Sequence, residues 1–369
     1  MNILVTGHAG YIGTVLTRML LDAGHQVSGI DTGLFQKCTF GIDLPVSIPC
    51  INCDIRDLTA SQLEAFDAIA HLAGVCNDPM GDLLPEATFA INNDATIRLA
   101  ELAREAGVKR FVFSSTCSVY GAALQDWVNE TSPTNPVTPY GMSKYQAERG
   151  LLTLATDEFS PVLMRSATAY GFSPRIRFDL VVNNLVAHAF TSGRVFLKSD
   201  GTAWRPLVHI ADISRAFVAA IEAPRETVHC QVFNVGSTAE NYRVRDVATI
   251  VRNTVPGSSI AYAEDAKADN RSYRVDFSKI EGQLPNFRPQ WDVAAGAKEL
   301  HASYSEFGLA LEDFEGARYQ RLAYLKSLLD AGILDTSLHW LPAPREHVVE
   351  SAPILRFDES ITTSSPGGN

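Results

Sequence analysis

Apolar residues in the first half of the chain fall into two alternating patterns. Short solid runs that end at a turn residue predict buried strands: residues 2–7, Gln26 to Ile30, Ala68 to Leu72, Arg110 to Ser114 and Pro161 to Arg165. Between them, apolar residues recur every three or four positions, as on one face of a helix. This predicts helices over residues 11–23, Thr88 to Ala106 and Ser143 to Phe159, the first two stopped by Gly24 and Gly107. Strand and helix taking turns implies a parallel sheet with helices on both faces. After Gly171 the order loosens. Helices are expected at 178–191, 211–222, 243–254 and 293–305, with short strands between them. Residues 311–334 form a charged, amphipathic helical stretch. From about Pro342 the patterning fades, and the closing Thr-Thr-Ser-Ser-Pro-Gly-Gly-Asn has a disordered composition. The organisation expected is a sheet domain over 1–170 with a return segment near 205–236. An interleaved lobe spans 171–310, a helical extension 311–341 and a disordered tail 342–369.

Composition narrows the function. The 369 residues are 46% hydrophobic, enough for a large core, and the net charge is −11. So acidic a chain repels phosphate, which argues against generic nucleic-acid or anionic-membrane binding. Any phosphate it holds must be met by local donors. No apolar run is long enough to span a bilayer. The start lacks a basic region followed by an apolar one, and six cysteines in this length do not make a disulfide framework. A reducing cytoplasm is expected. Cys50-Ile-Asn-Cys53 has no second ligand pair, so packing rather than metal binding is expected there. His8, His71 and His209 are expected to pack or hydrogen-bond.

Residues 7–13, Gly-His-Ala-Gly-Tyr-Ile-Gly, join the first strand to the first helix. Glycines there permit a tight turn and close approach of the backbone to a pyrophosphate at the helix N-terminus. Asp31 ends the second strand, where a carboxylate accepts the adenosine ribose hydroxyls and repels a 2′-phosphate. No Arg or Lys follows until Lys37. The cofactor expected is therefore NAD rather than NADP.

Tyr140-Gly-Met-Ser-Lys144 opens a helix, and residues four apart share a face. A neighbouring ammonium and the positive nicotinamide ring of bound NAD both favour phenolate and would make Tyr140 a usable base. Upstream, Phe111 to Gly121 carries Ser114, Ser115 and Thr116 at the carboxyl end of a strand, where open α/β sheets bind ligands. Thr116 can hydrogen-bond the oxygen that Tyr140 deprotonates.

Together these residues resemble the extended short-chain dehydrogenase/reductase family, in particular its nucleotide-sugar epimerase and dehydratase branch. The resemblance covers roughly residues 1–300. Its markers run in family order: Gly7 to Gly13, Asp31, Cys53 to Asp57, His71 to Gly74, Asn92, Ser114 to Thr116, Tyr140 to Lys144, Arg165 to Gly171 and Arg205 to Asp212. The resemblance implies a Rossmann-type doubly wound parallel sheet with a smaller mixed α/β substrate-binding lobe. It implies NAD contacts at Gly7, Gly10, Tyr11, Ile12, Gly13, Asp31, Asp54, Ile55, Leu72, Ala73, Gly74, Asn92, Ser114, Tyr140 and Lys144. Thr116, Tyr140 and Lys144 would be catalytic. Thr116, Thr168, Asn184, Arg205 and Arg271 would meet a nucleotide-diphosphate sugar. A homodimer through helices 88–106 and 143–159 is implied as well.

Departures from the family pattern narrow the reaction. The dehydratase branch carries Asp-Glu after the catalytic threonine, whereas here the pair is Cys117-Ser118. Thr168 stands where better-known sugar epimerases carry Asn. The leading expectation is an NAD-dependent epimerase acting at C4 through a 4-keto intermediate. The alternatives are an NAD(P)H-dependent 4-keto-sugar reductase, a 4,6-dehydratase and a non-catalytic NAD sensor.

Overall fold

The structure, a computed structural model, describes residues 1–41, 47–123, 125–267 and 272–342. The disordered tail expected over 342–369 lies outside the described residues except for Pro342. Seven strands form the central sheet: β1 (Asn2–Thr6), β2 (Gln26–Asp31), β3 (Cys50–Asn52), β4 (Ala68–His71), β5 (Arg110–Thr116), β6 (Ser160–Ser166) and β7 (Val232–Val235). All neighbours pair in parallel, in the order β7-β6-β5-β4-β1-β2-β3. The order reverses beside β1, and the carboxyl ends of β1 and β4 part there into a crevice. Ligands of doubly wound folds bind at such a switch point.

Alternation along the strands sends side chains to two cores. Ile3 and Val5 pack with Leu16 and Leu20 of α1 (Gly13–Asp22). Leu4 points the other way, towards Leu99 of α2 (Ala95–Glu105) and Leu151 of α3 (Pro139–Thr153). A fourth helix, α4 (Ile210–Glu222), lies beside α1 on the first face and supplies Phe217 and Ala220 to that core. β7 and α4 both fall within residues 205–236.

Helix boundaries differ from expectation in two places. The stretch expected as one helix from Thr88 to Ala106 is a short helix Pro85–Phe89, a π turn Ala90–Asp94 and then α2. The helix expected from Ser143 to Phe159 is α3. It begins earlier because Thr138 accepts the Gly141 N–H on its side chain and Pro139 fills the first turn. It ends earlier because Thr156 accepts the N–H groups of Glu158 and Phe159, which turns the chain into β6.

The lobe packs helices Val181–Ser192, Val244–Thr254 and Val293–Glu306 around Phe178 and Tyr304. The helical stretch expected over 311–334 is two helices, Leu311–Glu315 and Arg321–Asp330, separated at Gly316. These return to cover the loop after β2, where Arg318 Nε donates to Lys37 O and Trp340 Nε1 to Thr32 O. Among the described residues no helix is long and apolar enough to cross a membrane.

Candidate active site and dinucleotide cleft

A cleft of about 380 Å³ opens at the carboxyl ends of the strands. Its floor is the loop from Gly7 to Gly13. Gly7 has φ +73°, and a Cβ there would stand 2.8 Å from Ala73 N; one on Gly13 would stand 2.1 Å from Gly7 O. Neither position tolerates a side chain, so backbone approaches backbone and the N-terminus of α1 is bare. Tyr11 donates to Gly171 O at 2.7 Å and ties the loop to the lobe. Asp31 lines the cleft and accepts from Gly33 N at 2.8 Å and Ala9 N at 3.2 Å. A bare helix N-terminus with a carboxylate at the end of β2 fits the pyrophosphate and ribose of a dinucleotide.

Asp54, Ile55, Leu72, Ala73, Gly74 and Ser114 also line the cleft. Burial pushes the Asp54 carboxyl up, but hydrogen bonds from Arg56 outweigh it and hold it below the usual range. Asn92 does not line the cleft. It lies in the π turn, where its Oδ1 accepts Val75 N at 2.8 Å and its Nδ2 donates to Val75 O and to Ser143 Oγ. It thereby holds the loop that leaves β4 against α3, and a Cβ on Gly74 would collide with it at 2.7 Å.

Thr116, Tyr140 and Lys144 meet in the same cleft. Lys144 is buried. Its Nζ donates to Ser114 O at 2.9 Å and lies 4.7 Å from the centre of the Phe113 ring. Burial lowers its pKa from 10.5 to about 8. Burial drives the Tyr140 phenol well above the usual value, and the hydrogen bond with Thr116 lowers it only in part. In the chain alone Tyr140 is a neutral phenol, and a positive charge brought into the cleft would be needed to lower it.

Two turns beyond Tyr140, on the same face of α3, Glu148 accepts from Ser115 Oγ at 2.5 Å and pairs with Arg165 at 2.7 Å. Both members are buried. This pair fixes the end of β5 directly beside Thr116. Cys117 is buried, with its thiol pushed up by burial and its Sγ directed at Arg165 O.

A smaller chamber of about 120 Å³ holds Arg205, Thr138 and Val137 and shares Asp78, Ser118, Thr168 and Tyr273 with the main cleft. Thr168 therefore stands where the two meet. Asn184 lines neither. It lies in the first turn of its helix and donates to Phe178 O at 2.8 Å, closing the loop before it. Arg271 lies outside the described residues. Among the lining residues that went unnoticed in the sequence are Arg177, Tyr273 and Arg321. Arg177 is buried and paired with Asp179, and the alternation Arg175-Ile-Arg177-Phe-Asp179 was its only signal. Tyr273 donates to Cys117 O at 2.9 Å.

Comparison with known proteins agrees with this geometry. Residues 3–236 match the NAD dependent epimerase/dehydratase family. A UDP-glucose 4-epimerase of Mus musculus is 30% identical over 302 residues, which span 73% of this chain and 86% of the relative. MoeE5, solved in complex with UDP-glucuronic acid and NAD, has a TM-score of 0.71 at 28% identity, over 83% of this chain and 99% of that one. An NAD dependent NDP-hexosamine 5,6-dehydratase, TunA, has a TM-score of 0.73 at 25% identity, over 83% of this chain and 98% of that one.

Proposed function

Since this chain belongs to the NAD dependent epimerase/dehydratase family, we propose that it is a nucleotide-sugar epimerase that inverts carbon 4 through a transient 4-keto sugar. NAD is the cofactor, and it supplies a reversible hydride acceptor when bound. The observation that carries the proposal is that Thr116, Tyr140 and Lys144 line one cleft, with no acid–base carboxylate pair after Thr116.

Tyr140 takes the proton from the C4 hydroxyl and returns it after the sugar has turned over. Thr116 holds the same oxygen as it passes between alcohol and ketone. Lys144 keeps a positive charge below pH about 8, so at neutral pH it favours charge on the phenol. Gly7 to Gly13 and Asp31 would hold the dinucleotide, with Asp54, Ile55, Leu72, Ala73, Gly74 and Ser114 along its length. Asn92 supports it from behind the wall. Arg205 in the side chamber meets the substrate diphosphate, and Thr168 meets the sugar. Dehydration finds little support, because the buried Cys117 and the half-buried Ser118 stand where an acid and a base would be needed. Assembly as a homodimer through α2 and α3, which lie side by side on one face of the sheet, belongs to the same proposal. So does work in the cytoplasm.

The test is incubation of the NAD-loaded protein with UDP-, GDP- and dTDP-hexoses in deuterated buffer, read by NMR. The 4-epimer should accumulate to equilibrium without solvent deuterium in the sugar and without net change in NAD. Deuterium entering the sugar with loss of water, or stoichiometric use of NADH on a 4-keto sugar, would replace this proposal with a dehydratase or a reductase.

A further inference from the structure

The helix Arg321–Asp330 brings Arg321 into the wall of the dinucleotide cleft, far in sequence from residues 3–236. The side chain is 4% exposed. Its Nη2 donates to Arg175 O at 3.0 Å, its Nη1 lies 3.9 Å from Cys76 Sγ, and its Nε has no partner. Its guanidinium lies 4.6 Å from the centre of the Phe35 ring. Among the described residues it forms no salt bridge, and Asp179, whose carboxyl feels its charge, is already held by Arg177.

The surroundings place this charge at the cofactor cradle. Arg175 donates to Ala9 O of the glycine loop at 2.9 Å and to Gln36 O at 2.5 Å. Cys76 lies on the loop that leaves β4. Arg321 therefore bridges the Arg175 segment, which holds the glycine loop, and the loop that leaves β4. A buried guanidinium with no counter-charge is costly in a low-dielectric site, and the nearby Arg175 adds repulsion. An anion in the cleft removes both costs.

We propose that Arg321 is a cofactor-binding residue supplied by the C-terminal extension, its guanidinium pairing with the pyrophosphate of the bound dinucleotide. The rest of the extension holds it there. Tyr319 donates to Thr39 O, Arg56 donates to Ser337 O, and Trp340 donates to Thr32 O. The extension thus straps the loop after β2 over the adenosine end of the cleft and slows release of NAD. The inference rests on the dinucleotide occupying this cleft, whichever reaction follows.

The full chain is stripped of dinucleotide and titrated by calorimetry with NAD and with adenosine, which lacks the pyrophosphate, at low and high salt. Arg321→Gln should weaken NAD about ten- to a hundred-fold, the size of a lost charge-assisted hydrogen bond. It should leave adenosine within about twofold of wild type and flatten the salt dependence of NAD binding. Arg321→Met covers the case in which the glutamine variant does not fold. Without ligand it should unfold at or above the wild-type temperature, since a buried unpaired charge is gone, yet it should gain less than wild type when NAD is added. A merely structural arginine would lower the ligand-free unfolding temperature and weaken NAD and adenosine alike, which would overturn the proposal. So would unchanged NAD affinity in either variant. Failure of the wild type to bind NAD would instead remove the dinucleotide reading itself.

Discussion

Replacing Lys144 with methionine should make the ligand-free protein more stable while it destroys turnover. The lysine is buried, and its folded-state pKa is about 8 against an ordinary 10.5. At about 1.4 kcal/mol per tenfold change in the proton equilibrium, keeping Lys144 charged in the fold costs about 3 kcal/mol. Methionine has a similar length and no charge to desolvate. It gives up the charge-assisted hydrogen bond to Ser114 O, worth about 1.5 kcal/mol, so the net gain at pH 7 is about 1.5 kcal/mol. With an unfolding entropy of about 2 cal/mol/K per residue, that raises the unfolding temperature by about 2 °C.

The gain must also depend on pH in a definite direction. Below pH about 8 the lysine is protonated in both the folded and unfolded chains, and the cost is fully present. Between about 8 and 10.5 the folded chain has shed the proton and the unfolded chain still carries it, so wild-type stability rises with pH. Above 10.5 the cost is gone. Calorimetric scans of NAD-free wild type and Lys144→Met from pH 7 to 10.5 should therefore show a gap that closes as pH rises. A variant less stable than wild type at pH 7, or a gap that stays constant across that range, would refute the reasoning. Turnover should fall at least a hundredfold, because the phenol of Tyr140 loses its nearby ammonium.

Gly13→Ala puts a methyl group 2.1 Å from Gly7 O, so the protein should carry almost no NAD when denatured and assayed, where wild type releases a substantial fraction per chain. Glu148→Gln leaves the Arg165 guanidinium buried without its counter-charge. It should cost about 3–5 kcal/mol, read as a drop of several degrees in unfolding temperature, whereas the double variant with Arg165→Met should lose less than the single one. Asp31→Ser should narrow the preference for NAD over NADP at least tenfold in direct binding measurements, because a carboxylate no longer faces the 2′-phosphate; an unchanged ratio would remove Asp31 from the ribose.

The sheet was legible because strands buried on both faces must be apolar throughout. Phe111-Val-Phe and Pro161-Val-Leu-Met announce themselves without help from the rest of the chain. Helix boundaries were less legible because they depend on single caps. Thr138 followed by Pro139 is a start signal, but the Ser143 helix face looked complete without it. The π turn at Ala90–Asp94 leaves no pattern in the sequence at all, since nothing distinguishes a wider turn from an ordinary one until Asn92 is seen reaching Val75.

The same division runs through the site. Glycines, Asp31 and Thr116 were readable because each sits at the end of a strand, where the fold alone says what it faces, and Tyr140 and Lys144 because residues four apart share a helix face. The arginines of the main cleft were not. Sequence reasoning offered Arg205 and Arg271 to the substrate diphosphate and passed over Arg177 and Arg321, which line the main cleft, and Arg175, bound to its glycine loop. On an amphipathic stretch Arg321 looks like a solvated charge, and only the return of the extension across the cleft makes it a buried one. A net charge of −11 therefore describes the outside of this molecule and not the field in its cleft. An anion entering that cleft would meet a few buried guanidiniums in a low-dielectric wall, where one charge counts for more than the many screened ones at the surface.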